Sequence, residues 1–173
     1  SALVGMDATS SVAQLTQVIE SVLHEGVTMV GFTTEAVAIA VRRALGHATR
    51  WEDHRFEIVH EGAESPAMHM ALDEAMAEAV GAGTRAPTLR IWEWGAPAVV
   101  IGSFQSLRNE VDPEGAQRHG ITVVRRISGG GAMFIEPGNT ITYSLTVPAS
   151  LVEGLSFERS YAFLDDWVLG ALG

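Results

Sequence analysis

Between residues 125 and 132 the sequence reads Arg-Arg-Ile-Ser-Gly-Gly-Gly-Ala, a run that combines guanidinium groups, a hydroxyl and backbone amides with no side chains blocking approach. Such a run can cradle an anion, either a phosphate or an acyl carboxylate. If the preceding strand continues through both arginines, Arg125 shares a face with Val123 and Arg126 with Val124, so one guanidinium serves a given pocket. The other then makes a surface or structural ion pair. The plainer alternative for a triple glycine is a bulge that bends a sheet. Two arginines, Ser128 and an asparagine turn at Asn139 raise the anion-binding reading above it.

The elements around this run are legible from periodicity and turn chemistry. Residues 121–126 and 132–135 read as strands on either side of the glycine loop, and Glu136-Pro137-Gly138-Asn139 reads as a turn. Residues 140–147 alternate so that Ile141, Tyr143, Leu145 and Val147 take one face and Thr140, Thr142, Ser144 and Thr146 the other, which predicts a hairpin across the turn. Upstream, Phe56 and Ile58 open a strand. Ser65-Pro66 then starts a helix whose expected buried stripe is Met68, Leu72 and Met76. Strands follow at 89–94 and 98–101, and Asp112-Pro113 starts a helix that Gly120 stops. A last helix, capped by Ser156, is expected to point Phe157, Tyr161, Leu164, Val168 and Leu172 at the core. Near the N-terminus, Ser11 with Gln14 resembles a capping box for a helix ending near Gly26, and Thr33 or Thr34 caps a second helix stopped by Gly46. The glycine loop joins two strands, whereas dinucleotide and phosphate-loop folds set theirs between strand and helix. The expected class is α+β with a mixed, largely antiparallel sheet and flanking helices. Residues 1–50 form a small helical module and 51–173 the remainder.

Composition narrows the chemistry. Eleven basic and twenty-one acidic residues in 173 give a net charge of -10, which repels phosphate backbones and argues against nucleic-acid binding. There is no cysteine, so thiol nucleophiles, disulfides and thiolate metal sites are excluded within this chain, and a reduced cytoplasm fits. All the basic residues are arginines, so an amine-dependent step needs a lysine from elsewhere. No apolar run approaches the ~20 residues that cross a bilayer. The opening at Ser1 reads as a trimmed product, a tag scar or an excised fragment.

The run Arg125-Arg126-x-Ser128-Gly129-Gly130-Gly131-Ala132, followed by Gly138-Asn139 and Ile141-Thr142-Tyr143-Ser144, resembles the signature of the lipoate-protein ligase A and octanoyltransferase superfamily. The resemblance extends through 71–75, 97–102 with Gln105, the 111–120 helix and Ser160-Tyr161, and covers about residues 55–173. It implies a biotin/lipoate ligase-like catalytic domain, incomplete at its C-terminus. The implied reaction is activation of lipoate by ATP as lipoyl-adenylate, with Mg2+ expected, and transfer to a lysine of a lipoyl-domain protein. By position, Arg126 would contact the activated carboxylate or phosphate. Ser128 and the amides of Gly129, Gly130, Gly131 and Ala132 would line the acyl-adenylate pocket, and Asn139 would hold the turn beside the nucleotide. Two departures stand out. Many relatives carry a histidine where this chain has Ile135, before Glu136. The family's essential lysine falls after the last helix, so the resemblance implies that it comes from outside residues 1–173, through a second polypeptide or a remainder that also covers an otherwise exposed apolar sheet edge. Residues 1–47 resemble part of the small accessory domain of such ligases.

Two other readings compete with the ligase: an octanoyltransferase taking its acyl group from a carrier protein without ATP, and a non-catalytic module that binds lipoyl or acyl groups. Gln105 approaches the pocket by family position, and Asp73 is read as capping a neighbouring loop or touching the substrate cleft, although a strand-end glutamine and a helix-surface carboxylate need no such role. His69 and Asp73, four apart on one helix, are expected to be a solvated pair. His54 and His60 lack a second cluster, so no metal site is assigned. Trp92 and Trp94 share a strand face with Arg90, where sheet packing is expected and not base stacking.

Overall fold

The computed structural model describes residues 6, 7, 9–23 and 30–172. Contacts divide the chain into two units: the segment up to Asp53 together with the segment from Pro148, and His54–Val147.

In the first unit, helix α1 (Val12–Leu23) opens with the expected capping box, Ser11 N–H donating to Gln14 Oε1 at 2.8 Å and Gln14 N–H to Ser11 Oγ at 3.2 Å. Its expected end near Gly26 lies outside the described residues. Helix α2 (Thr34–Leu45) starts with the Thr33 hydroxyl accepting from Ala36 N–H and stops at Gly46. Leu15 and Ala38, one from each helix, are fully buried.

The second unit holds two three-stranded sheets built on one plan. Strand β1 (Glu57–Glu64), helix α3 (Pro66–Gly81) and strand β2 (Thr88–Trp94) make a parallel crossover, and helices α4 (Leu107–Glu110) and α5 (Pro113–Arg118) join β3 (Ala98–Ile101) to its parallel neighbour β4 (Thr122–Arg125). Each sheet gains one antiparallel strand: β5 (Met133–Ile135) on β3, and β6 (Ile141–Thr146) on β2. The orders are β1-β2-β6 and β4-β3-β5. The class is α+β with mixed sheets, its pairings evenly divided between parallel and antiparallel. Trp92 and Trp94 from one sheet pack with Ala98, Val100 and Ile135 from the other to form the core.

Two local expectations need correction, and the structure decides which face of β6 turns inward. The turn at 136–139 forms, with Asn139 N–H donating to Glu136 O at 3.3 Å, but β5 and β6 do not make a hairpin, because each pairs with a different sheet. In β6 the hydroxyl face turns inward: Thr142 accepts from Trp94 Nε1–H at 2.8 Å and Ser144 donates to Asp73 at 2.7 Å. Ile141 is 77% exposed. In α3 the buried face is His69, Met76 and Val80, not the stripe through Met68, which is 47% exposed.

Helices α6 (Ala149–Val152) and α7 (Phe157–Leu172) belong to the first unit, not with the strands. The Arg43 guanidinium fixes α6 there, donating to the carbonyls of Thr49, Leu151 and Glu153 at 2.9–3.1 Å, while Arg42 pairs with Glu153. The Ser156 hydroxyl caps α7 by accepting from Arg159 N–H. Phe157, Tyr161 and Leu172 are exposed, and none of the described residues of α7 is buried, which corrects the expected core stripe. No helix among the described residues is long and apolar enough to cross a membrane.

Candidate functional site

The glycine loop leaves β4 at Arg125 and rejoins the sheet at Met133. Both arginines are engaged, in different directions. Arg126 folds back over its own loop, Nε donating to Gly129 O at 3.0 Å and Nη2 to the carbonyls of Gly129 and Gly131 at 2.7 and 2.9 Å. Arg125 reaches the neighbouring turn, Nη1 donating to the carbonyls of Gly102, Ser103 and Gln105 at 2.7, 3.2 and 2.8 Å. Carbonyls drawn to guanidinium groups leave the peptide N–H groups facing elsewhere. Among the described residues, the amides of Ser128, Gly129, Gly130, Gly131 and Ala132 donate no hydrogen bond, so they lie outside the sheet ladders. The arrangement therefore differs from a free cation beside a loop: the charge organises the loop, and the amides remain available.

Two glycines make this geometry possible. Gly130 sits at φ +96°, where a Cβ would also approach Arg126 Nη2 at 2.7 Å. Gly102 packs its α-carbon against the loop, so a Cβ there would overlap the Gly130 carbonyl oxygen. Ser103 N–H completes the join by donating to Ser128 O at 2.9 Å. Gln105, expected near the pocket, uses its side-chain oxygen to accept from Gly102 N–H at 2.8 Å and so shapes the turn. Asn139 is exposed and bonds within its own turn, to Glu136.

Asp73 is placed in a polar cluster beneath the sheet and not on a solvated helix face. Arg90, fully buried on β2, donates from Nε to Glu61 at 2.6 Å, from Nη1 to Asp73 at 3.1 Å and from Nη2 to His69 Nδ1 at 2.6 Å, with its guanidinium 4.2 Å from the Trp92 ring. Arginine can only donate, so Nδ1 of His69 presents its lone pair and the ring proton sits on Nε2, which reaches Glu93 O at 2.9 Å. His69 is fully buried and stacked on Trp92. Burial, and then the Arg90 charge, hold its pKa below the ordinary histidine value. Sequence reasoning missed this cluster. The available signal was an arginine alternating with two tryptophans on one strand, since such a cation must recruit carboxylates to be buried.

Elsewhere, an open apolar groove of about 640 Å³ is lined by Phe32, Ala36, Val37, Ala40, Val41 and Ala44. It offers no polar side chain to orient a reacting group. No group of three or more His, Asp or Glu side chains that could hold a metal ion occurs among the described residues.

Against known proteins, the lipoyl protein ligase A/B catalytic domain matches residues 65–173. The octanoyltransferase LipM of Symbiobacterium thermophilum is 43% identical over 86 residues, 50% of this chain and 31% of that protein. LipM of Clostridioides difficile is 35% identical over 121 residues, 69% of this chain and 44% of that protein. The chain spans between 30% and 44% of the length of these and six further curated relatives that it matches. Among solved structures, a lipoate-protein ligase A bound with ATP is 30% identical at a TM-score of 0.45, over 53% of this chain and 36% of that one. A bi-partite lipoate protein ligase from Thermoplasma acidophilum is 26% identical at a TM-score of 0.43, over 53% and 35%.

Proposed function

We propose, for a chain that belongs to the lipoyl protein ligase A/B catalytic-domain family, that it forms the acyl-binding part of an enzyme that transfers an octanoyl or lipoyl group to a lysine of a lipoyl-domain protein. The observation that carries this reading is the set of unbonded amides at residues 128–132 on a loop that Arg125 and Arg126 hold in place. N–H groups fixed before the substrate arrives stabilise the negative charge that develops on an acyl carbonyl oxygen at no cost of reorganisation. The neutral acceptor amine attacks the acyl carbon and the new C–N bond forms; as the oxyanion collapses, the leaving group departs with the electron pair of its bond and takes up the proton that the amine gives up.

Transfer from a thioester, without nucleotide, is the version we favour. The curated relatives are named octanoyltransferases. An adenylate also asks for a cation at its phosphate, whereas the Arg126 guanidinium is engaged with loop carbonyls. Among the described residues no group of three or more His, Asp or Glu side chains is placed to hold Mg2+. A lysine and an acyl carrier protein are therefore the partners this version requires. Two assays on the purified protein test it: octanoyl transfer from an octanoyl-pantetheine donor to a lipoyl domain, and ATP–pyrophosphate exchange with lipoate. Transfer without exchange supports the proposal. Lipoate-dependent exchange replaces it with the ligase, and acyl binding with neither activity leaves a non-catalytic module.

A further inference from the structure

Phe104 is 94% exposed, more than any other large apolar side chain among the described residues. It is not on a loose loop. Its turn is bound by the Gln105 side chain to Gly102, by Arg125 to three carbonyls, and by Ser103 N–H to Ser128 O. A rigid frame thus holds an aromatic ring in water, which costs solvation free energy unless something apolar arrives to cover it.

The ring borders the glycine loop, with Phe104 Cδ2 and Cε2 lying 3.8 and 3.9 Å from where a Cβ on Gly129 would be. The residues that bracket the loop add to the same character, with Ile127 52% and Met133 44% exposed. Unbonded N–H groups ask for a carbonyl oxygen, and the adjoining apolar surface asks for a hydrocarbon. A fatty acyl group carries both, joined through one carbon.

Resting on the acyl-transfer reading above, we infer that Phe104 is the specificity-determining wall for the hydrocarbon chain of the acyl donor. A medium-length saturated chain, its carbonyl on the amides of 129–131, lies along the Phe104 ring. Short chains end before using that surface.

The test compares butanoyl- and octanoyl-pantetheine as donors to a lipoyl domain, with titration of butanamide and octanamide as a binding readout that needs no turnover. Phe104→Ala lowers kcat/KM and affinity for the octanoyl probe about tenfold, on the scale that a buried methylene or two discriminates, and leaves the butanoyl probe within about twofold. Phe104→Leu, which keeps apolar bulk, recovers most of the loss. Equal losses on both chain lengths, or no loss on either, overturn the inference while leaving acyl transfer standing. If the unmutated protein neither binds nor transfers either chain, the acyl-transfer reading has failed and this inference with it.

Discussion

The carboxylate of Asp73 on α3 and the guanidinium of Arg90 on β2 meet at 3.1 Å beneath the sheet, with the arginine side chain fully buried. Because Glu61 and His69 share the same guanidinium, Arg90 ties β1, α3 and β2 together at one point. Replacing it by methionine leaves two carboxylates without their cation. Arg90→Met should therefore lower unfolding free energy by about 3–5 kcal/mol, the cost of breaking a buried ion pair from one side. Urea denaturation of the variant measures it, and a loss below 1 kcal/mol would show that the cluster contributes little.

His69 makes the same cluster sensitive to acid. Arg90 faces its Nδ1, and Asp73 and Glu61 flank that arginine, so protonation would set one N–H against another. With the folded pKa lowered, the unfolded chain takes up the proton first. The stabilisation is complete above about pH 6.5, the ordinary histidine value, and is lost as pH falls below it. His69→Gln should flatten that part of the profile when urea midpoints are compared between about pH 5 and 7.5. An unchanged slope would assign the acid sensitivity to other groups.

Gly102 and Gly81 give opposite expectations for the same substitution. A Cβ at Gly102 overlaps the Gly130 carbonyl, whereas nothing lies within 4 Å of one at Gly81. Gly102→Ala should destabilise by about 1–3 kcal/mol and displace the glycine loop, reducing acyl transfer. Gly81→Ala should be neutral or stabilising by up to about 1 kcal/mol. Melting temperatures and transfer rates of the two variants, side by side, check the contrast.

Arg126 tests whether geometry or charge matters in the loop. Its two nitrogens Nε and Nη2 hold two carbonyls in a fixed fork, which a lysine ammonium cannot reproduce. Arg126→Lys should lose transfer nearly as fully as Arg126→Ala, with each losing about 1.5–3 kcal/mol of stability for the charge-assisted bonds. Retained activity in the lysine variant would mean that a positive charge suffices.

What the sequence made legible was chiefly local. Ser11 with Gln14, Thr33, Ser65 and Asp112 all cap helices as their side-chain chemistry requires. The glycine loop also falls between two strands as read. Alternation in β6 correctly marked a strand but could not say which face turns inward. That choice was made by Trp94 and Asp73, which need the hydroxyls of Thr142 and Ser144, and such partners are distant in sequence. The same held for α3, where His69, Asp73, Met76 and Val80 share a face at helical spacing. Its polar members hid it among a run of alanines and methionines. Which way the two arginines would turn was also invisible, since their acceptors are backbone carbonyls that any residue supplies.

The absence of a side chain at Gly102 has a mechanical consequence. With Gly130 seated against its α-carbon, and Ser103 N–H and the Arg125 guanidinium binding on either side, the turn and the loop form one stiff body. A displacement of the amides on contact with an incoming ligand would carry the phenyl ring of Phe104 along with it. Any accommodation to different substrates is thereby confined to rotation of that ring and its neighbours.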